Sequence, residues 1–140
     1  KHVRVLATRD IDQIRLFPGA TEMLAALKAG GVQAAVVSSN AEGNVRRVLG
    51  PPAAHVAHYA CGASLFGKAS KIRGVLKAMR VEKCDAIFVG DEARDAAAAR
   101  DVGIDNGLVA WGYADPKFLR SLAPTLFFEH MDEIAPALIG

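Results

Sequence analysis

The sequence predicts an α/β domain built on a mainly parallel sheet. Apolar runs alternate with amphipathic stretches along the chain, Gly, Pro or Asn punctuates each change, and small clusters of polar residues follow directly on the apolar runs. At 140 residues the chain has the size of one ordinary domain, and 51% hydrophobic with 23% charged residues is a composition that fills a core.

The elements follow in order. Residues 1–17 hold the apolar run from Val3 to Ala7 and then Asp10-Ile11-Asp12, and they lead into Pro18-Gly19. A helix is expected over 20–29, where Met23, Leu24 and Leu27 fall at helical spacing and Gly30-Gly31 ends the segment. The run 32–37 is continuous and partly β-branched, as in a strand covered on both faces, and it stops at Ser38-Ser39-Asn40. A second helix over 42–49 is closed by Gly50-Pro51-Pro52, and 55–60 reads as a weaker strand. Ile72, Val75, Leu76 and Met79 form one stripe of a helix over 71–79. A short apolar strand over 86–89 breaks into Gly90-Asp91-Glu92-Ala93-Arg94-Asp95, and an Ala-rich helix runs from there to Gly103. A strand over 108–111, a helix opened by Asp115-Pro116 and a last short strand over 126–128 complete the series. No repeat or low-complexity linker divides it, so residues 18–140 read as one domain.

Charge and composition exclude several classes. Seventeen Lys+Arg against fifteen Asp+Glu leave a net charge of +2, scattered without basic runs, which is too little for a nucleic-acid footprint. No apolar stretch approaches the roughly 18 residues of a membrane span, and the start Lys1-His2-Val3-Arg4 has no signal-peptide pattern. Two cysteines, Cys61 and Cys84, are too few for a disulfide scaffold and suit a reducing cytoplasm. Nothing in the sequence fixes an oligomeric state.

In a parallel α/β sheet, ligands bind beyond the C-terminal ends of the strands. Ser38-Ser39-Asn40, Gly67-Lys68 and the segment from Gly90 to Asp95 are the polar groups at such ends. Together they offer hydroxyls, backbone N–H groups, an ammonium and carboxylates, the set that holds a phosphate and a divalent cation. Asp91 with Asp95 or Glu92 suits Mg²⁺, which takes one or two carboxylates plus water and substrate oxygens. Each signal also has a plainer reading: Asp91 and Glu92 as helix-terminal carboxylates, Ser38 and Ser39 as helix caps, Lys68 as a solvated surface lysine.

Other constellations are weaker. Gly62-Ala63-Ser64-Leu65-Phe66-Gly67-Lys68 has the spacing of a nucleotide-binding phosphate loop, but Ala69 stands where a Ser or Thr should bind Mg²⁺. His55, His58 and Cys61 lie three residues apart in each step, a spacing that converges on a helix but not on a strand. Trp111 and Tyr113 read as packing residues, and Cys84 as a small filler before a strand.

The order of Pro18-Gly19 and its helix, Val36-Val37-Ser38-Ser39-Asn40, Gly67-Lys68, and Phe88-Val89-Gly90-Asp91-x-x-x-Asp95 resembles the haloacid dehalogenase superfamily over nearly the whole chain. Residues 96–104 and Val109-Ala110-Trp111-Gly112-Tyr113 are similar to its phosphoglycolate phosphatase branch. The resemblance implies a Rossmann-like three-layer core and a Mg²⁺-dependent phosphomonoester hydrolase acting on a small phosphorylated metabolite, with phosphoglycolate the leading example. It implies that Ser38 hydrogen-bonds the transferring phosphoryl group, supported by Ser39 or Asn40, and that Lys68 neutralises charge there, with Lys71 one turn on as its competitor. Asp91 would ligate Mg²⁺, with Asp95 or Glu92 as second ligand or support. Family members often carry a proline beside the lysine, where this chain has Ala69.

The family's reaction also needs an aspartate nucleophile, and a second aspartate two residues later, at the tip of the first strand. Asp10-Ile11-Asp12 has that spacing, yet no Thr follows and Pro18 arrives too soon for the expected turn and flap, so both read as surface charges. Residues 1–17 resemble the exit from a helical cap, and the chain reads as a C-terminal portion lacking the first strand and the cap. The alternative to an enzyme is an inactive phosphate- or metal-binding or interaction module without the nucleophile.

Overall fold

The computed structural model describes residues 5–9 as backbone, and residues 18–63, 66–112 and 114–139 in full. In chain order the elements are β1 (Val5–Arg9), α1 (Ala20–Ala29), β2 (Gln33–Val37), α2 (Glu42–Leu49), β3 (Val56–Ala60), α3 (Gly67–Met79), β4 (Ala86–Gly90), α4 (Ala93–Val102), β5 (Asp105–Val109), α5 (Pro116–Ser121), β6 (Leu126–Phe128) and α6 (Ile134–Leu138), with short 3₁₀ turns before β3, β4 and α6. The strands form a six-stranded sheet in the order β3-β2-β1-β4-β5-β6. Every pairing is parallel.

Strand periodicity divides the core into two layers. Side chains alternate across a strand, so Ala35 and Val37 of β2 and Ala86 and Phe88 of β4 meet Ile72, Val75 and Leu76 of α3 and Ala98, Ala99 and Val102 of α4. The intervening residues Ala34, Ile87 and Val89 face the other way, against Met23, Leu24 and Leu27 of α1 and Ile134, Ala135 and Leu138 of α6. All five residues of β4 are buried, which is why 86–89 reads as an unbroken apolar run rather than an alternating one. The layer of α3 and α4 carries the site, because both helices begin at the C-terminal edge of the sheet.

Residues 1–17 meet an outcome of their own. The parallel α/β class is as expected, while the central place expected to lack a strand is held by β1, paired with β2 on one side and β4 on the other. The strands β2 and β4 would each present a row of backbone N–H and C=O groups if nothing lay between them, and Val5–Arg9 satisfies both rows. Asp10 and Asp12 lie outside the described residues.

The largest differences from the expected elements are two helix or strand starts and one additional helix. β5 begins at Asp105 rather than Leu108, because Ile87 and Phe88 of β4 pair with Asp105 and Asn106. The polar start is tied down by the Asn106 N–H donating to Thr125 Oγ1 at 3.1 Å, so pairing overrides the low strand propensity of Asp-Asn-Gly. α3 starts at Gly67, one turn ahead of its apolar stripe, which places Lys68 inside the first turn of the helix instead of before it. α6 was not anticipated, since Ile134 to Leu138 spans barely one turn and contains Pro136; burial of Ile134, Ala135 and Leu138 against α1 holds it. Cys84 is exposed rather than a filler packed before its strand, and neither Cys61 nor Cys84 is in a disulfide.

The edge strand β3 carries Tyr59, whose hydroxyl donates to the Ala53 carbonyl at 3.1 Å while the Arg46 guanidinium stacks 4.2 Å from its ring centre. Burial raises the phenol above its ordinary 10.0, partly opposed by Arg46, which favours the phenolate. A raised acid pKa in the folded state means that the stabilising contribution is complete below pH about 10 and is lost as pH rises through the folded value. Spectrophotometric titration of the native protein against Tyr59→Phe should therefore show a phenol ionising above 10, and one titrating at or below that value would contradict the assignment.

Candidate active site

The strand order reverses direction at the centre of the sheet. From β1 the chain proceeds outward through β2 to β3, then returns to β4 on the other side and proceeds outward again. Loops leaving β2 and β4 at their C-terminal ends therefore part company there and open a crevice. The expected residues lie at its rim: Ser38 directly after β2, Asp91 directly after β4, and Lys68 in the first turn of α3.

The turn from β4 into α4 is built around Asp95. Its side chain is fully buried, at 0% exposure, yet every oxygen is engaged. Oδ2 accepts the Asp91 N–H at 2.9 Å and the Glu92 N–H at 3.1 Å, and Oδ1 accepts from the Lys68 ammonium. Asp95 thus caps its own helix from the third position, satisfying backbone donors that α4 cannot satisfy internally. This arrangement requires Gly90. A Cβ there would lie 2.2 Å from Asp95 Oδ2, inside any permitted contact.

Asp91 is the other buried carboxylate, 8% exposed. Gly112, at the turn after β5, packs against it so closely that a Cβ on Gly112 would stand 2.5 Å from Asp91 Cβ and 2.7 Å from Oδ2. The hard oxygen of a buried carboxylate at a crevice rim is the donor type that Mg²⁺ selects. Glu92 lies on the outer side, where Arg94 donates to Oε1 at 2.8 Å and the Lys68 ammonium stands 3.9 Å away. Among the described residues, no three of His, Cys, Asp and Glu converge as a metal-holding group. Asp91 fits the one-or-two-carboxylate demand of Mg²⁺, whereas Asp95 is committed to the turn and to Lys68.

On the other side, Ser38 is buried and its Oγ accepts the Asn40 N–H at 3.0 Å, forming a tight turn off β2. Ser39 is exposed and Asn40 half-buried. The turn is joined to the segment after β3 by Ser38 N–H to the Ala60 carbonyl at 3.1 Å and Gly62 N–H to the Asn40 carbonyl at 2.8 Å. Lys71 does not join the acidic cluster. Its ammonium donates to the Ser38 carbonyl at 2.8 Å and to the Gly62 carbonyl.

The structure therefore brings Lys68, Glu92 and Asp95 into contact, sets Asp91 beside them, ties Ser38 to Gly62 through Lys71 and joins Asn40 to Gly62 directly through the backbone. Lys68 of the loop 62–68 engages carboxylates of α4, a different partnership from a lysine held for nucleotide phosphates. His55 ends the 3₁₀ turn before β3, His58 lies within the strand and Cys61 follows it, so the three do not share one helical face. Trp111 packs against the core layer of α1 and α6, and Tyr113 lies outside the described residues. Sequence reasoning passed over Gly112 and the carbonyl-binding role of Lys71. The glycine after Trp111 was a faint signal for the first, and nothing in the side-chain pattern announced the second.

The parallel α/β sheet thus carries a buried, lysine-paired aspartate turn at its reversal point. The chain belongs to the haloacid dehalogenase-like hydrolase family, whose sequence pattern matches residues 2–109. It is 26% identical over 127 residues to a phosphoglycolate phosphatase of Synechococcus elongatus, covering 89% of this chain and 60% of that protein. It is 32% identical over 134 residues to the tyrosine-protein kinase PtkA of Mycobacterium tuberculosis, covering 88% of this chain and 45% of the kinase. Among solved structures, a haloacid dehalogenase-like hydrolase of Streptococcus pneumoniae superposes with a TM-score of 0.77 at 19% identity, covering 88% of this chain and 60% of that one. The chain thus spans about 60% and 45% of the lengths of these two curated relatives. No helix of the described residues is long and apolar enough to cross a membrane.

Proposed function

We propose that the protein is a Mg²⁺-dependent phosphomonoester hydrolase acting in the cytoplasm on a small phosphorylated metabolite, with phosphoglycolate the first candidate substrate. The observation that carries this reading is the buried turn of Asp91 and Asp95 paired to Lys68 at the reversal point of the sheet. Ser38, with Ser39 or Asn40, would hold the phosphoryl oxygens through its hydroxyl and the turn's backbone. Lys68, kept in place by Asp95 and Glu92, would place its positive charge where phosphoryl oxygens gather negative charge during displacement. Asp91 would hold Mg²⁺, with Asp95 fixing the turn that aims it; the bound ion would supply charge neutralisation at the phosphoryl group. The nucleophile is assigned to none of the described residues.

The similarity to PtkA, a protein named as a tyrosine kinase, favours one second reading, in which the phosphoryl group passes to a tyrosine rather than to water. Turnover of p-nitrophenyl phosphate and of a panel of small phosphomonoesters by the whole protein, with and without Mg²⁺, tests both. Mg²⁺-dependent release of inorganic phosphate supports the hydrolase. Phosphate transfer from a nucleotide to a tyrosine peptide without hydrolysis would replace it with the kinase reading. Phosphate or Mg²⁺ binding with no turnover would leave a binding module.

A further inference from the structure

We propose that Lys71 is a positioning residue of the phosphoryl site, acting through the backbone of Ser38 rather than on the substrate. The inference rests on the reading of Ser38 as a phosphoryl ligand. Two strands, β2 and β3, run parallel and end side by side, Val37 opposite Ala60, and the segments leaving them bring carbonyls within reach of one side chain. A carbonyl at such an end has no ladder partner beyond it and needs another donor. Lys71 supplies donors to two of them at once, the carbonyls of Ser38 and Gly62.

The consequence is a closed circuit. Ser38 N–H binds the Ala60 carbonyl, Gly62 N–H binds the Asn40 carbonyl, and the Lys71 ammonium bridges the carbonyls of Ser38 and Gly62. Within it the Ser38 Oγ accepts from Asn40 N–H. Lys71 thus holds the peptide group that follows Ser38, and with it the backbone from which the Ser38 side chain projects.

Lys68 and Lys71 lie one turn apart on α3 and reach in different directions, Lys68 to the carboxylates after β4 and Lys71 to the carbonyls after β2 and β3. The first turn of α3 therefore holds both halves of the crevice in register. Lysine suits this place because its ammonium carries several donors on a flexible stem, and charge-assisted bonds to carbonyls are stronger than neutral ones.

The test uses the whole protein and one phosphomonoester. KM, kcat and the inhibition constant of inorganic phosphate are measured for wild type, Lys71→Met, Lys71→Arg, Ser38→Ala and the Lys71→Met/Ser38→Ala double variant. Loss of a charge-assisted hydrogen bond that orients a ligand group should raise KM and the phosphate inhibition constant about tenfold in Lys71→Met. Mg²⁺ activation should stay unchanged, and Lys71→Arg should recover most of the loss. On the Ser38→Ala background, Lys71→Met should add no more than about twofold, because the two act as a unit. If Lys71→Met does not fold, Lys71→Gln, which keeps a single donor group, takes its place in the cycle with an intermediate rise expected. A lysine with a merely structural role would lower the melting temperature and leave KM and phosphate inhibition of the folded enzyme unchanged; that result, or a full effect on the Ser38→Ala background, overturns the inference while the enzyme reading stands. A wild type that neither turns over phosphoesters nor binds phosphate overturns both.

Discussion

Asp91→Asn in the whole protein is expected to reduce Mg²⁺-dependent phosphoester hydrolysis on the order of 10³-fold, the scale of losing several kcal/mol of charge stabilisation in the transition state. The substitution keeps the shape of the side chain and removes its charge. Shape matters here, because Gly112 packs closely against the Asp91 side chain. Folding should change little, since the turn is held by Asp95 and not by Asp91: both backbone N–H groups at the start of α4 donate to Asp95 Oδ2. The discriminating pair of measurements is Mg²⁺ affinity by titration calorimetry and stability by denaturant unfolding. Weak Mg²⁺ binding with a near-native unfolding midpoint is the expected pattern. Hydrolysis retained within tenfold of wild type would take Asp91 out of the metal site.

The order of a hydroxyl, a lysine and an aspartate pair, each after its own strand, was legible because each follows an apolar run that must end at the sheet edge. Helices α1 and α2 and strand β6 were legible to the residue, since Gly, Pro or polar breaks bound them. What sequence could not show depends on neighbours far along the chain. β5 starts at Asp105 only because β4 offers partners there, and Gly112 matters only because Asp91 comes to lie against it. The role of Lys71 is invisible for a similar reason, because its partners are carbonyls, which every residue carries and no side-chain pattern records. Residues 5–9 are the sharpest instance. The apolar run from Val3 to Ala7 is visible, but Pro18 stands too close to Asp12 for the family's turn and flap and the segment reads as the exit from a cap, whereas the two open ladders of β2 and β4 favour a strand.

The distinction between Asp91 and Asp95 also clarifies what the spacing of the pair does. Two carboxylates four residues apart at a helix start can face one ion, with the second serving as ligand or as support. The geometry gives them separate tasks, Asp91 lining the rim and Asp95 turned inward to bind the backbone that carries Asp91. The three donors to Asp95, two backbone N–H groups and the Lys68 ammonium, already engage both of its oxygens. Lys68 in turn gains a fixed position from Asp95, so the turn sets both the carboxylate at the rim and the ammonium beside it.

That dependence on Asp95 makes Gly90→Ala the most destabilising single methyl group the site can receive. The added Cβ would fall 2.2 Å from Asp95 Oδ2, 2.3 Å from its Cγ and 2.5 Å from its Cβ, so no rotation of one atom relieves the contact. Gly90 is not among the glycines with positive φ, and the cost is therefore steric rather than conformational. Asp95 must leave, and with it go two hydrogen bonds to a charged acceptor and the ion pair to Lys68. At about 1.5–3 kcal/mol for each charge-assisted hydrogen bond, the loss should reach about 3–5 kcal/mol, a large fraction of the 5–15 kcal/mol that stabilises a typical domain. Gly74→Ala is the matched control, because it lies within α3 and a Cβ there meets nothing within 4 Å. It should stabilise by about 0.5–1 kcal/mol through helix propensity alone. Removing the obstructing group supplies the second check: in an Asp95→Ser background, Gly90→Ala should cost much less than in wild type, because the atoms it displaces are gone. Denaturant unfolding of the four proteins measures the coupling, and purely additive losses would show that Gly90 is not there to make room for Asp95.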